Sequence, residues 1–167
     1  ALANLRMGMP ISIRDEHAPE TAGNAFVPAR FEVPADELDP LALMTELRAR
    51  MVAARDEPAN ALVEPLANIL YRLPTTVVTE LFGSMMKGLD FQASNVPGSP
   101  IPLYLLGHEV RSLVPFGPLA GAAANITLLS YGNDLNIGVN IDPAAITDPD
   151  GFTRILAEAY AVLLDLA

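Results

Sequence analysis

The chain holds no cysteine. No disulfide, thiol nucleophile or thiolate metal site can form, and a reducing interior suits it. Basic residues are scarce. Ten lysines and arginines stand against twenty aspartates and glutamates, a net charge of −10, with a pI of 4.4. Binders of nucleic acid need a basic face, so no nucleic-acid partner is expected. Electrostatic docking on anionic lipid is disfavoured for the same reason. Lys87 is the single lysine beside nine arginines; with abundant alanine, this suggests a GC-rich coding sequence. Long apolar runs are missing too. None reaches the ~18 residues of a membrane span, and the run from Ile155 is broken by Glu158 and Asp165. There is no internal repeat and no low-complexity tract. No charged leader or cleavage signal stands ahead of the first apolar strand pattern. The chain enters an apolar strand pattern almost at once, so it reads as a piece of a longer polypeptide.

Several chemical signatures are also absent. Gly83-Ser84 and Gly98-Ser99 lack the context of a nucleophile elbow. There is no Walker loop and no dinucleotide-binding glycine motif. Asp36, Glu37 and Asp39 sit at a helix entry, where capping and solvation explain them better than metal does. His17 and His108 are isolated and offer no metal constellation. Each reads as a surface or satisfied-core histidine.

What is present is enough for one domain with a sizeable core: 167 residues. Apolar residues make up 51% of it and the mean hydropathy is +0.31. That apolar excess needs a large core, a partner domain or a lipidic ligand. Leu5, Met7, Met9, Ile11 and Ile13 alternate with polar or small residues, a strand signal weakened by Pro10. A loop over 14–23 follows. A second strand over 24–33 offers Phe26, Phe31 and Val33 for burial, with Pro28 and Pro34 limiting its pairing.

Asp39-Pro40 predicts a helix start. Leu41, Met44, Leu47 and Met51 form its apolar stripe, and Glu46 and Arg50 are spaced to pair. A second helix is predicted over 62–73 and a third up to about Met86. The third has a broad apolar face of Val77, Val78, Leu81, Phe82, Met85 and Met86. That face reads as ordinary core or as the wall of an acyl-chain channel, which flexible methionine suits. Later, 104–114 predicts a strand pair or bulged strand, and 115–121 a turn-rich connector. A strand over 124–130 and another over 135–141 flank the turn Tyr131-Gly132-Asn133-Asp134. Asp148-Pro149 starts a last helix through Leu166, with Phe152, Ile155, Leu156, Ala159 and Leu163 inward. The order of elements predicts an α/β layered domain, residues 1–167, with a mixed, largely antiparallel sheet and helices packed on it.

The stretch that organises the chain is Phe91–Pro100, FQASNVPGSP. A short β-prone run over 91–93 ends in Ser94 and Asn95. Pro97 and Pro100 then bracket Gly98, which permits φ > 0. Such a stiff strand end suits chemistry, and it equally suits a turn whose Ser and Asn bond the local backbone.

Two blocks together carry a resemblance: SNVPGSP, and further on NITLLSYGNDLNIGV within Gly121–Ile141. They resemble the C-terminal domain of the bacterial wax ester synthase/diacylglycerol acyltransferase family. That family is similar to the CoA-dependent acyltransferases, which include chloramphenicol acetyltransferase and peptide-synthetase condensation domains. The opening LRMGMPISIR looks like the family's strand after its domain linker. DPDGFTRILAEAYAVLLDL looks like its last helix. Ser99 departs from the pattern, since the family more often runs from Gly directly into Pro.

The resemblance implies one half of a two-domain fold with a tunnel between the halves. It implies transfer of an acyl group from acyl-CoA, the substrate rather than a cofactor, to a diacylglycerol or long-chain alcohol. The family's general base comes from a His-His-x-x-x-Asp-Gly motif in its N-terminal half, and this chain lacks that motif. The resemblance therefore implies an N-terminal partner domain and an inactive isolated chain with an exposed apolar face that includes part of 94–100. Ser94 and Asn95 become oxyanion-donor candidates. Pro97, Gly98, Asn125, Met85 and Met86 become substrate-binding candidates, with strand bonding an equal reading for Asn125. A cytoplasmic site is implied, with peripheral association at a membrane or lipid droplet. The alternative is a non-catalytic lipid-binding or interaction module on the same fold.

Overall fold

In the computed structural model, residues 4–12, 26–35, 39–58, 70–86 and 88–166 are described. The chain forms two compact units, 1–89 and 90–167. The expected α/β class is observed, with parallel and antiparallel strand pairs and helices beside them.

In the first unit, β1 (Asn4–Ser12) pairs antiparallel with β2 (Phe26–Pro34) over nine positions. Met7, Phe31 and Val33 are buried. Phe26, expected inside, is exposed; it pairs with Ser12 at the last position of the ladder. Pro10, Pro28 and Pro34, expected to limit regular pairing, lie within an unbroken ladder in which Pro10 faces Pro28 directly. Opposed residues at a non-hydrogen-bonded position point their N–H groups away from each other, so two prolines there remove no bond between the strands. Ile13, the loop over 14–23 and most of the helix predicted over 62–73 lie outside the described residues.

Helix α1 (Pro40–Arg55) starts as expected, with the Asp39 carboxylate accepting from the Leu41 N–H at 3.0 Å. It packs across both strands. Arg50 pairs with Glu46 as predicted and also donates to the Glu32 carbonyl on β2. The helix is turned differently from its predicted stripe. Leu43, Leu47, Met51 and Ala54 become the half-buried stripe, while Leu41 and Met44 face solvent. Helix α2 (Thr75–Met86) ends where predicted. Val78 is half-buried and Val77 exposed; the side chains of Leu81, Phe82, Met85 and Met86 lie outside the described residues.

The second unit begins with β3 (Phe91–Val96), which runs parallel to β6 (Ala124–Tyr131). β6 turns back into antiparallel β7 (Asp134–Ile141). Gly132, at φ 57°, makes this two-residue turn possible. β4 (Tyr104–Leu105) and β5 (His108–Glu109) form a separate short hairpin. Helix α3 (Pro149–Asp165) is capped by Asp148, whose carboxylate accepts from the Gly151 N–H at 3.0 Å. Its half-buried stripe is Phe152, Leu156, Tyr160 and Leu163. Ile155 and Ala159, expected inward, are exposed, because the four-residue step from Leu156 reaches Tyr160 instead. Partial burial raises the Tyr160 phenol above its ordinary value.

Candidate functional site

β3 is longer than its sequence suggests. Ser94 and Asn95 do not end the strand; it continues to Val96, and they pair in register with Thr127 and Leu128 of β6. Pairing extends the run because β6 offers a continuous ladder that propensity over 91–93 could not reveal. Successive strand residues point to opposite faces. Ser94 is half-buried and Asn95 exposed, so one reacting centre can meet only one of them. Among the described residues neither side chain makes a hydrogen bond.

The loop after β3 is held by other residues. The Gly98 N–H donates to Ser130 Oγ at 3.0 Å. Ser99 Oγ donates to the Ile101 carbonyl at 2.7 Å and accepts from the Ile101 N–H at 3.3 Å. The Gly132 N–H donates to the Ser99 carbonyl at 2.9 Å. The local turn bonding considered for Ser94 and Asn95 therefore belongs to Ser99 and Ser130. Gly98 is not at positive φ either. It is glycine because a Cβ there would lie 1.7 Å from the Ser130 carbonyl oxygen. Pro97 and Pro100 are exposed, as is Val96, so part of the expected apolar exposure over 94–100 is present.

Asn125 is 4% exposed, among the most buried of the described residues. It sits in a row of three carboxamides across three strands: Gln92 on β3, Asn125 on β6 and Asn140 on β7, all in register. Each donates to one of three consecutive carbonyls of the connector. Asn140 takes Gly117, Asn125 takes Pro118 at 3.1 Å and Gln92 takes Leu119 at 3.0 Å. Asn125 also donates to Gln92 Oε1 at 3.4 Å and accepts from Thr127 Oγ1 at 2.7 Å. This row pins the connector on the sheet, which makes the polar face of β6 its most buried one.

The pinned connector and the end of β7 bound a groove of about 420 Å³, lined by 116–119 and 139–141. Gly138 lies beside it, where a Cβ would be 1.9 Å from the Pro115 carbonyl oxygen. On the same face of β7, the Asn136 amide nitrogen is buried with no partner among the described residues. Pattern reading found Asn125 because it belongs to a recognisable block. It missed Asn136, and it missed Gln92, Ser130 and Asn140, whose partners lie in the connector and in the loop after β3, far away along the chain. The only signal for Asn140 was its polar place in an alternating strand.

His108 is exposed on β5. Asp39 caps α1, as read from the sequence. His17, Asp36 and Glu37 lie outside the described residues. Among the described residues no helix is long and apolar enough to cross a membrane.

The family described as the WS/DGAT C-terminal domain matches residues 22–163. "Putative diacyglycerol O-acyltransferase Rv2484c" of Mycobacterium tuberculosis is 34% identical over 166 residues, spanning 99% of this chain and 33% of that protein. "Probable diacyglycerol O-acyltransferase tgs1" of the same organism is 27% identical over 169 residues, spanning 98% and 36%. The chain thus spans about a third of the length of these curated relatives.

Proposed function

The chain belongs to the WS/DGAT C-terminal domain family, and from that membership we propose that it serves as the C-terminal part of an acyl-CoA-dependent O-acyltransferase. The products are triacylglycerol or wax ester, made from acyl-CoA and a diacylglycerol or long-chain alcohol. The relatives' names support the acyltransferase class and the diacylglycerol acceptor. In the reaction the alcohol oxygen bonds the acyl carbon, the C–S bond breaks and CoA leaves as the thiol. A base must take the hydroxyl proton, and donors must meet the developing oxyanion.

The base belongs to an upstream domain bearing the His-His-x-x-x-Asp-Gly motif, since no such motif occurs in this chain. The chain's own contribution is a donor. The observation that carries this is Ser94: a hydroxyl in the family's Ser-Asn-Val-Pro-Gly block, on a paired strand, with no hydrogen bond among the described residues. Asn95 points to the other face and is the second choice. Pro97 and Gly98 hold the strand exit beside the substrate, and Met85 and Met86 contribute to the acyl-chain wall. Asn125 acts by positioning the connector. The polypeptide works in the cytoplasm and meets its lipid substrates peripherally, at a membrane or droplet.

The test is CoA release from a long-chain acyl-CoA in the presence of diacylglycerol or fatty alcohol. The isolated chain should give none above a denatured control, and the longer polypeptide should turn over. Release by the isolated chain would place a base within it and sink this reading. No release by the longer polypeptide would favour a non-catalytic lipid-binding or interaction module.

A further inference from the structure

The β4–β5 hairpin holds only two residue pairs, Tyr104↔Glu109 and Leu105↔His108. It turns through Leu106 at φ 51° and Gly107 at φ 83°. Two successive positive φ values favour Asn-Gly. A leucine there is strained, because its Cβ crowds the following carbonyl. Yet the Leu106 side chain is 93% exposed, with Leu105, Tyr104 and Ile101 also open to solvent. The strain therefore supports no packing within the described chain. Backbone strain of this kind persists where the surroundings impose it, and it gathers at functional contacts.

The hairpin is also rigidly mounted. The buried Tyr131 hydroxyl accepts from the Leu103 N–H at 2.9 Å and donates to the Val110 carbonyl at 2.6 Å. The Val110 N–H closes the base on the Leu103 carbonyl at 2.8 Å. In a chain of net charge −10, no charged residue lies between Asp90 and Glu109. The result is a projection of fixed shape whose tip and first strand are apolar, with the exposed His108 and Glu109 confined to its second strand.

We propose that this hairpin, with Leu106 at its tip, is the element by which the domain docks into an apolar pocket of the longer polypeptide's remaining part. This rests on the reading above that such a part exists. The chain spans about a third of its relatives, so most of a family-length polypeptide lies outside it. A lipid surface is the rival occupant. Lipid rewards exposed apolar area in any geometry and requires no strained, tyrosine-braced turn. A shaped protein pocket does require one.

The test uses the longer polypeptide with a protease site introduced ahead of Ala1. After cleavage, the affinity of the two pieces is measured, and flotation with phosphatidylcholine–trioleoylglycerol emulsions is measured in parallel. Leu106→Asn keeps the positive φ comfortable while removing the apolar tip. It should weaken the association at least tenfold without lowering Tm, so misfolding cannot explain the loss. Leu106→Gly should do the same. Unchanged association in both variants overturns the proposal, as does a wild-type pair that separates on cleavage. Lost flotation with intact association makes the tip a lipid anchor and also overturns it. Acyl transfer is scored separately. Tight association without turnover sinks the acyltransferase reading and leaves the docking element standing.

Discussion

Gly98 and Ser94 lie four positions apart in one block and answer to different physics. Gly98 is fixed by distance: any side chain would collide with the Ser130 carbonyl oxygen, which is backbone and cannot rotate away. Gly98→Ala should therefore destabilise the protein by about 1–3 kcal/mol, the usual cost of overpacking. Gly83 in α2 is the control. Nothing lies within 4 Å of a Cβ there, so Gly83→Ala should be neutral or stabilising by about 0.5–1 kcal/mol. Urea denaturation of both variants checks the contrast, and equal effects would mean that the close approach at Gly98 does not exist in solution. Ser94 answers to chemistry. With no hydrogen bond among the described residues, Ser94→Ala should leave stability within about 0.5 kcal/mol of the parent. If its hydroxyl meets the oxyanion, kcat of the longer polypeptide should fall by ~10²–10³ with little change in KM. Asn95→Ala should change neither if Ser94 alone faces the reacting carbon. A kcat loss confined to Asn95→Ala would move the site to the other face of β3.

At the scale of elements, the carboxamide row explains why a strand can bury its polar side. Three amides in register on β3, β6 and β7 meet three consecutive carbonyls of a connector that has no regular structure of its own. Buried backbone carbonyls need donors, and a connector lying on a sheet cannot borrow them from water. Asn125 is central because it bonds the connector, Gln92 and Thr127 together. Asn125→Leu should cost about 1–3 kcal/mol for each buried group left without a partner. Amide exchange over 117–123 should quicken, while the β4–β5 hairpin, held by Tyr131, should keep its protection. Equal loosening of both segments would show that the row supports the whole unit and not the connector.

On the scale of the whole molecule, the sequence was most legible where neighbours along the chain decide the outcome. Asp39-Pro40 and Asp148-Pro149 start helices because a carboxylate and a proline suit free N–H groups wherever they occur. Gly132 marks its hairpin for a similarly local reason. The α/β class and the family membership were readable in the same way, from periodicity and two short blocks. The absence of the His-His-x-x-x-Asp-Gly motif was readable too, since a motif is either written in the chain or not. Orientation was less so. Leu41, Met44, Ile155 and Ala159 have the spacing of inward residues, yet they face solvent. Spacing defines an apolar stripe, while the packing of the helix on the strands beside it decides how it is turned. The candidate site depended still more on distant partners. β3 runs to Val96 because β6 lies beside it, Gly98 is glycine because the Ser130 carbonyl passes over it, and the amides of Gln92 and Asn140 find carbonyls 27 and 23 residues away. Hydrogen bonds and steric contacts act at about 3 Å in space whatever the separation along the chain. The sequence by itself determined the helix starts, the family and the absence of a His-His-x-x-x-Asp-Gly motif; only the tertiary structure decided which donors remain unspent and which leucine is held out in the open.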